Sequence, residues 1–235
     1  MKVLYIFPHP DDESFGPGPA IAQQRAEGHE VYLLTLTKGG ATKQRFKMNL
    51  SVDEMGEVRH QEMLAVEKVL GLTEMTVLDL PDSGLKEMDP RKIEKVIANE
   101  ILRVNPHIVV TYAVHGVSGF HDHLVTHAVV KRVFCELREQ QTGINLRRLA
   151  FYTIGETKEG GFRLEASSEE MIDCVVNCSE AAFQKGFDAL DCYVSYKEVI
   201  ERSAVKDKLT PKVTFEFFQE DVKPPCSSIF MGLRV

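Results

Sequence analysis

The chain has no tryptophan, and its 235 residues contain no apolar run near the roughly 18–20 residues that a membrane-crossing helix needs. Its opening apolar run is short and ends in Pro8-His9-Pro10-Asp11, which is not the layout of a signal peptide. A cytoplasmic protein without a membrane partner is therefore expected. Cysteine is sparse and odd in number: Cys135, Cys174, Cys178, Cys192 and Cys226. Without an export signal, that pattern predicts free, mostly buried thiols rather than a disulfide framework. Cys174 and Cys178 lie four apart, which is not the Cys-x-x-Cys spacing of zinc ribbons or redox pairs. Positive charge is also short, with 28 Lys and Arg against 35 Asp and Glu and a net charge of −7. That disfavours a nucleic-acid partner. The one tight basic cluster is Lys43, Arg45 and Lys47, beside Gly39-Gly40. A nucleotide-binding Gly-x-Gly-x-x-Gly fingerprint is missing as well. Only Gly16-Pro17-Gly18 follows the first strand, after an acidic loop that would repel a pyrophosphate.

What is present reads as one α/β domain, with 43% hydrophobic and 27% charged residues. Strand-like runs at Val3–Phe7, Val31–Thr37, Thr76–Leu80, His107–Tyr112 and Leu149–Ile154 alternate with helical patterns. The helices are expected at Ala20–Glu27, Val58–Leu70, Arg91–Val104 and His123–Leu137. Such alternation implies right-handed crossovers and a mostly parallel sheet, hence a Rossmann-like three-layer core over residues 1–155. Residues 156–235 are less regular. They suggest a turn at Gly160-Gly161, a strand at Ile172–Val176, a helix over Ser179–Leu190 and a late edge strand at Val213–Phe218. This reads as an α+β extension of the same domain that closes one side of the site.

The chemistry is concentrated at the end of the first strand, in Pro8-His9-Pro10-Asp11-Asp12-Glu13. Two prolines remove amide donors and stop the strand from continuing. One imidazole and three carboxylates then crowd a sheet end where open α/β folds present chemistry. A solvated acidic turn is the bland alternative. His9 three residues before Asp12 favours an ion held by both. Further ligands are available after the fourth strand, where a Gly-rich loop precedes His121-Asp122-His123 and His127. Two imidazoles and a carboxylate with an open position describe a catalytic zinc site or the facial triad of an iron(II) enzyme. An iron oxygenase would be expected on a β-barrel.

These residues resemble the PIG-L/LmbE-like zinc-dependent de-N-acetylases. The resemblance rests on His9-Pro10-Asp11-Asp12-Glu13 and the Gly-rich Asp122-His123 element. Gly56-Glu57-x-Arg59-x-x-Glu62 and Pro81-Asp82 match further positions of the family. It covers about the first 155 residues; Ala189-Leu190-x-x-Tyr193-x-Ser195-Tyr196 is only loosely similar to the family's late helix. The resemblance implies His9, Asp12 and His123 as ligands of Zn²⁺, with Fe²⁺ or another divalent ion as substitutes. It implies Asp11 as general base, Arg59 and Asp82 as contacts to sugar hydroxyls, Glu13 as a buttress of the loop and Asp122 as a group orienting a histidine. The expected activity is removal of an N-acetyl group from an N-acetylglucosamine conjugate, a small-molecule substrate. Without a membrane anchor, a lipid-linked substrate is not expected, and self-association is common among such small α/β enzymes.

One departure stands out. The family's second motif is His-Pro-Asp-His, whose first histidine stabilises the oxyanion and protonates the leaving amine. Alignment on Asp122-His123 puts Phe120 in that place and His121 in the proline's. His121 is the expected substitute, with His115 as another. The alternative is a catalytically weak or inactive metal-binding member, because losing an oxyanion donor costs on the order of 10²–10³ in rate.

Overall fold

Every side chain from Val3 to Phe7 is buried, so the first strand must be covered on both faces. The computed structural model, which describes residues 1–140, 143–155 and 164–234, shows how. The elements run β1 (Lys2–Phe7), α1 (Gly18–Ala26), β2 (Glu30–Thr37), α2 (Gln44–Lys47), α3 (Val52–Leu70), β3 (Glu74–Leu80), α4 (Pro90–Val104) and β4 (Ile108–Tyr112). They continue with α5 (His121–Gln140), β5 (Arg148–Thr153), β6 (Cys174–Asn177), α6 (Glu180–Asp191), α7 (Lys197–Ser203), α8 (Val205–Lys208) and β7 (Lys212–Phe217). Side chains alternate across a strand. Val3, Tyr5 and Phe7 accordingly share a core with Ile21 of α1, Met63 and Val66 of α3 and Leu190 of α6. Leu4 and Ile6 face the other way, onto Ile93, Ile97 and Ile101 of α4 and Val130 and Phe134 of α5.

The sheet has seven strands in the order β3-β2-β1-β4-β5-β7-β6. β1 to β5 are parallel, while β7 is antiparallel to both of its neighbours. This is the expected three-layer α/β fold, and its tail strands join the same sheet as residues 1–155. β1 lies between β2 and β4, so the chain leaves β1 toward opposite sides of the sheet. At such a switch point the loops after the two central strands diverge and leave a crevice beyond their carboxyl ends. The loop Pro8–Pro17 and the loop 113–120 after β4 face each other there.

Several expectations shift. β7 is not an edge strand: it pairs with Thr153 and Ala150 on one side and with Cys174 and Val176 on the other, leaving β6 at the edge. α3 begins two turns before Val58 because Ser51 closes a capping box. The Ser51 hydroxyl accepts from the Glu54 amide (3.2 Å) and the Ser51 amide donates to the Glu54 carboxylate (2.8 Å). The short helices α7 and α8 carry no apolar period that the sequence makes visible. The suggested turn at Gly160-Gly161 lies outside the described residues. All five cysteines are free thiols. Among the described residues, no helix is long and apolar enough to cross a membrane.

Gly16, late in the loop after β1, shows how tightly that loop is seated on the sheet. A Cβ there would sit 1.6 Å from the hydroxyl oxygen and 2.4 Å from Cζ of Tyr152, a buried side chain of β5. Gly16→Ala is expected to lower the unfolding free energy by about 1–3 kcal/mol, the usual cost of overpacking. Urea denaturation of the metal-free protein measures this; an unchanged midpoint would show that the loop is not held against β5.

Candidate active site

The loop after β1 turns at Asp11, whose carbonyl accepts from the amides of Ser14 (2.8 Å) and Phe15 (2.9 Å). Asp11 has φ +83°, a conformation that costs a non-glycine residue of order 1–3 kcal/mol. The turn aims consecutive side chains in three directions. Asp11 goes to Arg59, Asp12 to Tyr112 at the end of β4 and His123 at the start of α5, and Glu13 to Tyr193.

Asp12 is the hinge of the cluster. Its Oδ2 accepts from the His9 amide (2.8 Å) and lies 3.6 Å from His9 Nδ1, while its Oδ1 lies 3.3 Å from His123 Nε2. The Tyr112 hydroxyl donates to the same Oδ1 at 2.8 Å. Burial works against its charge, but His123, His9 and Tyr112 outweigh it and hold Asp12 below the ordinary carboxylate range. His123 Nδ1 is paired with the Gly116 carbonyl (2.9 Å), and Nε2 faces the cluster. Gly116, with φ +65°, lets the backbone approach that close: a Cβ there would sit 2.8 Å from His123 Cβ.

The other nitrogen of His9 has its own partners. Nε2 lies 3.2 Å from Asp122 Oδ2 and 3.3 Å from Asp82 Oδ1. Asp82 is held by the Ala41 amide (2.7 Å) and Asp122 by the Leu85 amide (3.2 Å). Burial alone would lower His9, yet the carboxylates of Asp12, Asp122 and Asp82 raise it well above an ordinary histidine. Two ligand groups therefore share His9: His9, Asp12 and His123 on one side, and His9, Asp82 and Asp122 on the other. The donor chemistry of the first set fits a divalent cation. It offers two imidazoles and a carboxylate, and each imidazole has its remote nitrogen engaged by a carbonyl or carboxylate, as metal-binding histidines do.

Asp11 stands beside this set. Arg59 Nη2 donates to Asp11 Oδ2 (2.6 Å) and to the Pro10 carbonyl (2.9 Å), and Nη1 to the Gly39 carbonyl (3.2 Å). The Tyr196 ring covers the guanidinium at 4.4 Å. Burial, with Asp12 and Glu13 adding repulsion, pushes Asp11 up to about 7 against the pull of Arg59. Glu13 is fully buried, and its Oε1 accepts from Ser14 (2.5 Å) and from Tyr193 (2.7 Å), a hydrogen bond between the loop and the tail.

The structure thus brings together His9, Asp11, Asp12, Asp82, Asp122 and His123, with Arg59 behind Asp11. Arg59 spends Nη1 and Nη2 on protein acceptors and is buried, so it does not present them to a sugar. His121 is not brought in. It is exposed at the first position of α5, and among the described residues no hydrogen bond links it to the cluster. His115 is also spent elsewhere: Nδ1 accepts from the Val117 amide (3.0 Å) and Nε2 pairs with Ser167 (3.1 Å). Phe120 is exposed, with its ring edge-on to His123 at 5.7 Å. Tyr112 has a larger part than an ordinary strand aromatic. The signal was its place at the carboxyl end of β4, opposite the Asp12 turn.

Residues 4–134, more than half of the chain, match the family described as PIG-L, GlcNAc-PI de-N-acetylase. The chain belongs to this family. A 1D-myo-inositol 2-acetamido-2-deoxy-alpha-D-glucopyranoside deacetylase from Thermomonospora curvata is 30% identical over 152 residues, covering 56% of this chain and 51% of the relative. The chain thus spans about half the length of such curated relatives. Among solved structures, a deacetylase of teicoplanin biosynthesis superposes with a TM-score of 0.70 at 18% identity, covering 94% of this chain and all of that one. GalB, a 4-carboxy-2-hydroxymuconate hydratase from Pseudomonas putida KT2440, has the same TM-score at 14% identity, covering 94% and 98%. Likeness at that level shows the α/β fold, which carries more than one chemistry.

Ionisation of Asp11 opposes folding, because its folded value near 7 lies above the free value of 3.8. Arg59 offsets that cost only where Asp11 is charged. In metal-free protein at pH 8, Arg59→Met is expected to cost about 3–5 kcal/mol, as for a broken buried pair. The loss should shrink as pH falls below 7 and Asp11 takes up its proton. Urea unfolding at pH 8 and pH 5.5 measures this; equal losses at both would mean that Arg59 does not serve Asp11.

Proposed function

We propose that this chain is a metal-dependent hydrolase that removes an N-acetyl group from an N-acetylglucosamine conjugate, releasing acetate and a free amine. One observation carries the reading. A carboxyl held near neutrality by burial, Asp11, adjoins a two-histidine, one-carboxylate set in the crevice at the sheet's switch point. The curated relatives named as glucosaminide deacetylases support the substrate class. The fit of His9, Asp12 and His123 supports a divalent ion, with Zn²⁺ first and Fe²⁺ as substitute. When bound, such an ion supplies a Lewis acid for the amide carbonyl and makes a water more acidic.

The residues of the chain do the rest. Asp11 accepts the proton of the attacking water through the carboxylate edge that Arg59 leaves open. Burial raises Asp11 in the metal-free protein to about 7, above the ordinary carboxylate range, which favours proton uptake by this carboxylate. The same proton then returns from Asp11 to the leaving nitrogen, which assigns to Asp11 the acid role first expected of His121. Asp82 and Asp122 orient His9 from its far nitrogen, and Arg59 keeps Asp11 aimed into the crevice. Residues 1–155 and the tail act as one catalytic domain, because the tail supplies Tyr193 beneath Glu13 and Tyr196 over Arg59.

A second reading is favoured by Phe120, which occupies the place of the family's first motif histidine and packs on His123. On that reading the chain binds metal but turns over slowly or not at all.

Release of acetate and free amine from a panel of N-acetylglucosaminides, including inositol and malate conjugates, tests both. The panel is run with zinc-loaded protein, chelated protein and Asp11→Asn. Turnover is expected with metal, lost on chelation, restored by added zinc and reduced about 10²–10⁴-fold in Asp11→Asn. Metal binding without turnover on any member would contradict the hydrolase reading, and turnover gained in Phe120→His would then establish the second.

A further inference from the structure

Tyr112 is the last residue of β4, and every polar or aromatic feature of it is committed. Its hydroxyl donates to Asp12 Oδ1 at 2.8 Å. Its ring lies flat on the His123 imidazole, with centroids 4.3 Å apart and planes 12° from parallel. Its carbonyl pairs with His127 Nδ1 at 2.9 Å, one turn further along α5. The ring also packs against Phe7 of β1 (4.9 Å) and Tyr152 of β5 (5.9 Å), both buried in the sheet core. The side chain has no freedom to follow a ligand that moves.

We propose that Tyr112 is a positioning residue of the metal centre, fixing Asp12 through its hydroxyl and His123 through its ring. The proposal rests on the reading of His9, Asp12 and His123 as metal ligands and goes beyond it. Asp12 sits on a turn from β1 and His123 on the first turn of α5, so the two come from segments 111 positions apart in sequence. Tyr112, on the strand that pairs with β1, touches both, with its hydroxyl on Asp12 and its ring on His123. A carboxylate that accepts a hydroxyl on one oxygen and an amide on the other cannot swing. An imidazole stacked on a packed phenol and bonded to Gly116 through Nδ1 cannot turn about its own axis. Ligands held in advance lose less entropy on capturing an ion, and partners of this kind typically matter about 10–100-fold in affinity or activity.

The test compares wild type, Tyr112→Phe and Tyr5→Phe. Tyr5→Phe removes another buried hydroxyl, one that donates to Gln24 (3.0 Å) and touches no ligand. Three measurements are made without substrate: Zn²⁺ affinity by competition with a chelating dye, the visible spectrum of the Co²⁺-loaded protein, and the melting midpoint in EDTA. Tyr112→Phe is expected to bind Zn²⁺ about 10–100-fold more weakly and to change the Co²⁺ bands. Tyr5→Phe should match wild type in both. The two variants should melt within a few degrees of one another in EDTA. Wild-type affinity and spectrum in Tyr112→Phe would overturn the proposal while leaving the metal centre intact. Equal weakening in both variants would overturn it too, by assigning the effect to the core. Wild type without affinity for Zn²⁺ or Co²⁺ would remove the metal-centre reading and this one with it.

Discussion

Everything at this site depends on one imidazole with carboxylates on both sides. His9 Nδ1 faces Asp12, and Nε2 faces Asp82 and Asp122. An imidazole can give one nitrogen to a cation only if the other is protonated and bonded, and the Asp82–Asp122 pair supplies that bond. Those two carboxylates are themselves held by the amides of Ala41 and Leu85, so three separate loops converge on a single ring. Excess negative charge around His9 and Asp12 is costly to bury without a cation. In the metal-free protein that charge raises His9 far above its usual value. The same field attracts a divalent ion.

The fold makes this convergence possible because β1 is central and buried on both faces. Its end cannot drift, and the loop after it is pressed onto β5 through Gly16 and Tyr152. The strain at Asp11 is offset by Arg59, which bonds the side chain of Asp11, the Pro10 carbonyl just before it and the Gly39 carbonyl in the loop after β2. Arg59 is sandwiched in turn by Tyr196 from the tail. The tail therefore does more than extend the sheet. It supplies the aromatic cover of Arg59 and the hydroxyl beneath Glu13, and so stiffens the loop that carries Asp11.

Much of this was legible in the sequence where chemistry is local. His9, Asp11 and Asp12 follow a strand in one turn, and proline and the acidic cluster mark that turn without ambiguity. The five parallel strands were visible because their apolar runs are bounded by glycine and proline. The position of β7 was not, since a strand between β5 and β6 reads like an edge strand when its partners lie far away in sequence. Arg59 illustrates a different limit. A residue type and a spacing suggest a sugar contact, but only packing shows that its donors are spent on Asp11, Pro10 and Gly39. Tyr112 was equally ambiguous, because a tyrosine ending a buried strand is usual in cores. His121 shows the limit of substituting one histidine for another along a motif: a shift of one position at the start of α5 turns its side chain out to solvent.

The central claim is that His9 offers Nδ1, and not Nε2, to the metal. Anomalous diffraction at the zinc edge, from crystals of the zinc-loaded protein, tests it most directly. The account predicts one peak among His9 Nδ1, Asp12 and His123 Nε2, with Asp82 and Asp122 still bonded to His9 Nε2. A peak between His9 Nε2, Asp82 and Asp122 would contradict it, and with it the assignment of Asp11 as the base beside the metal.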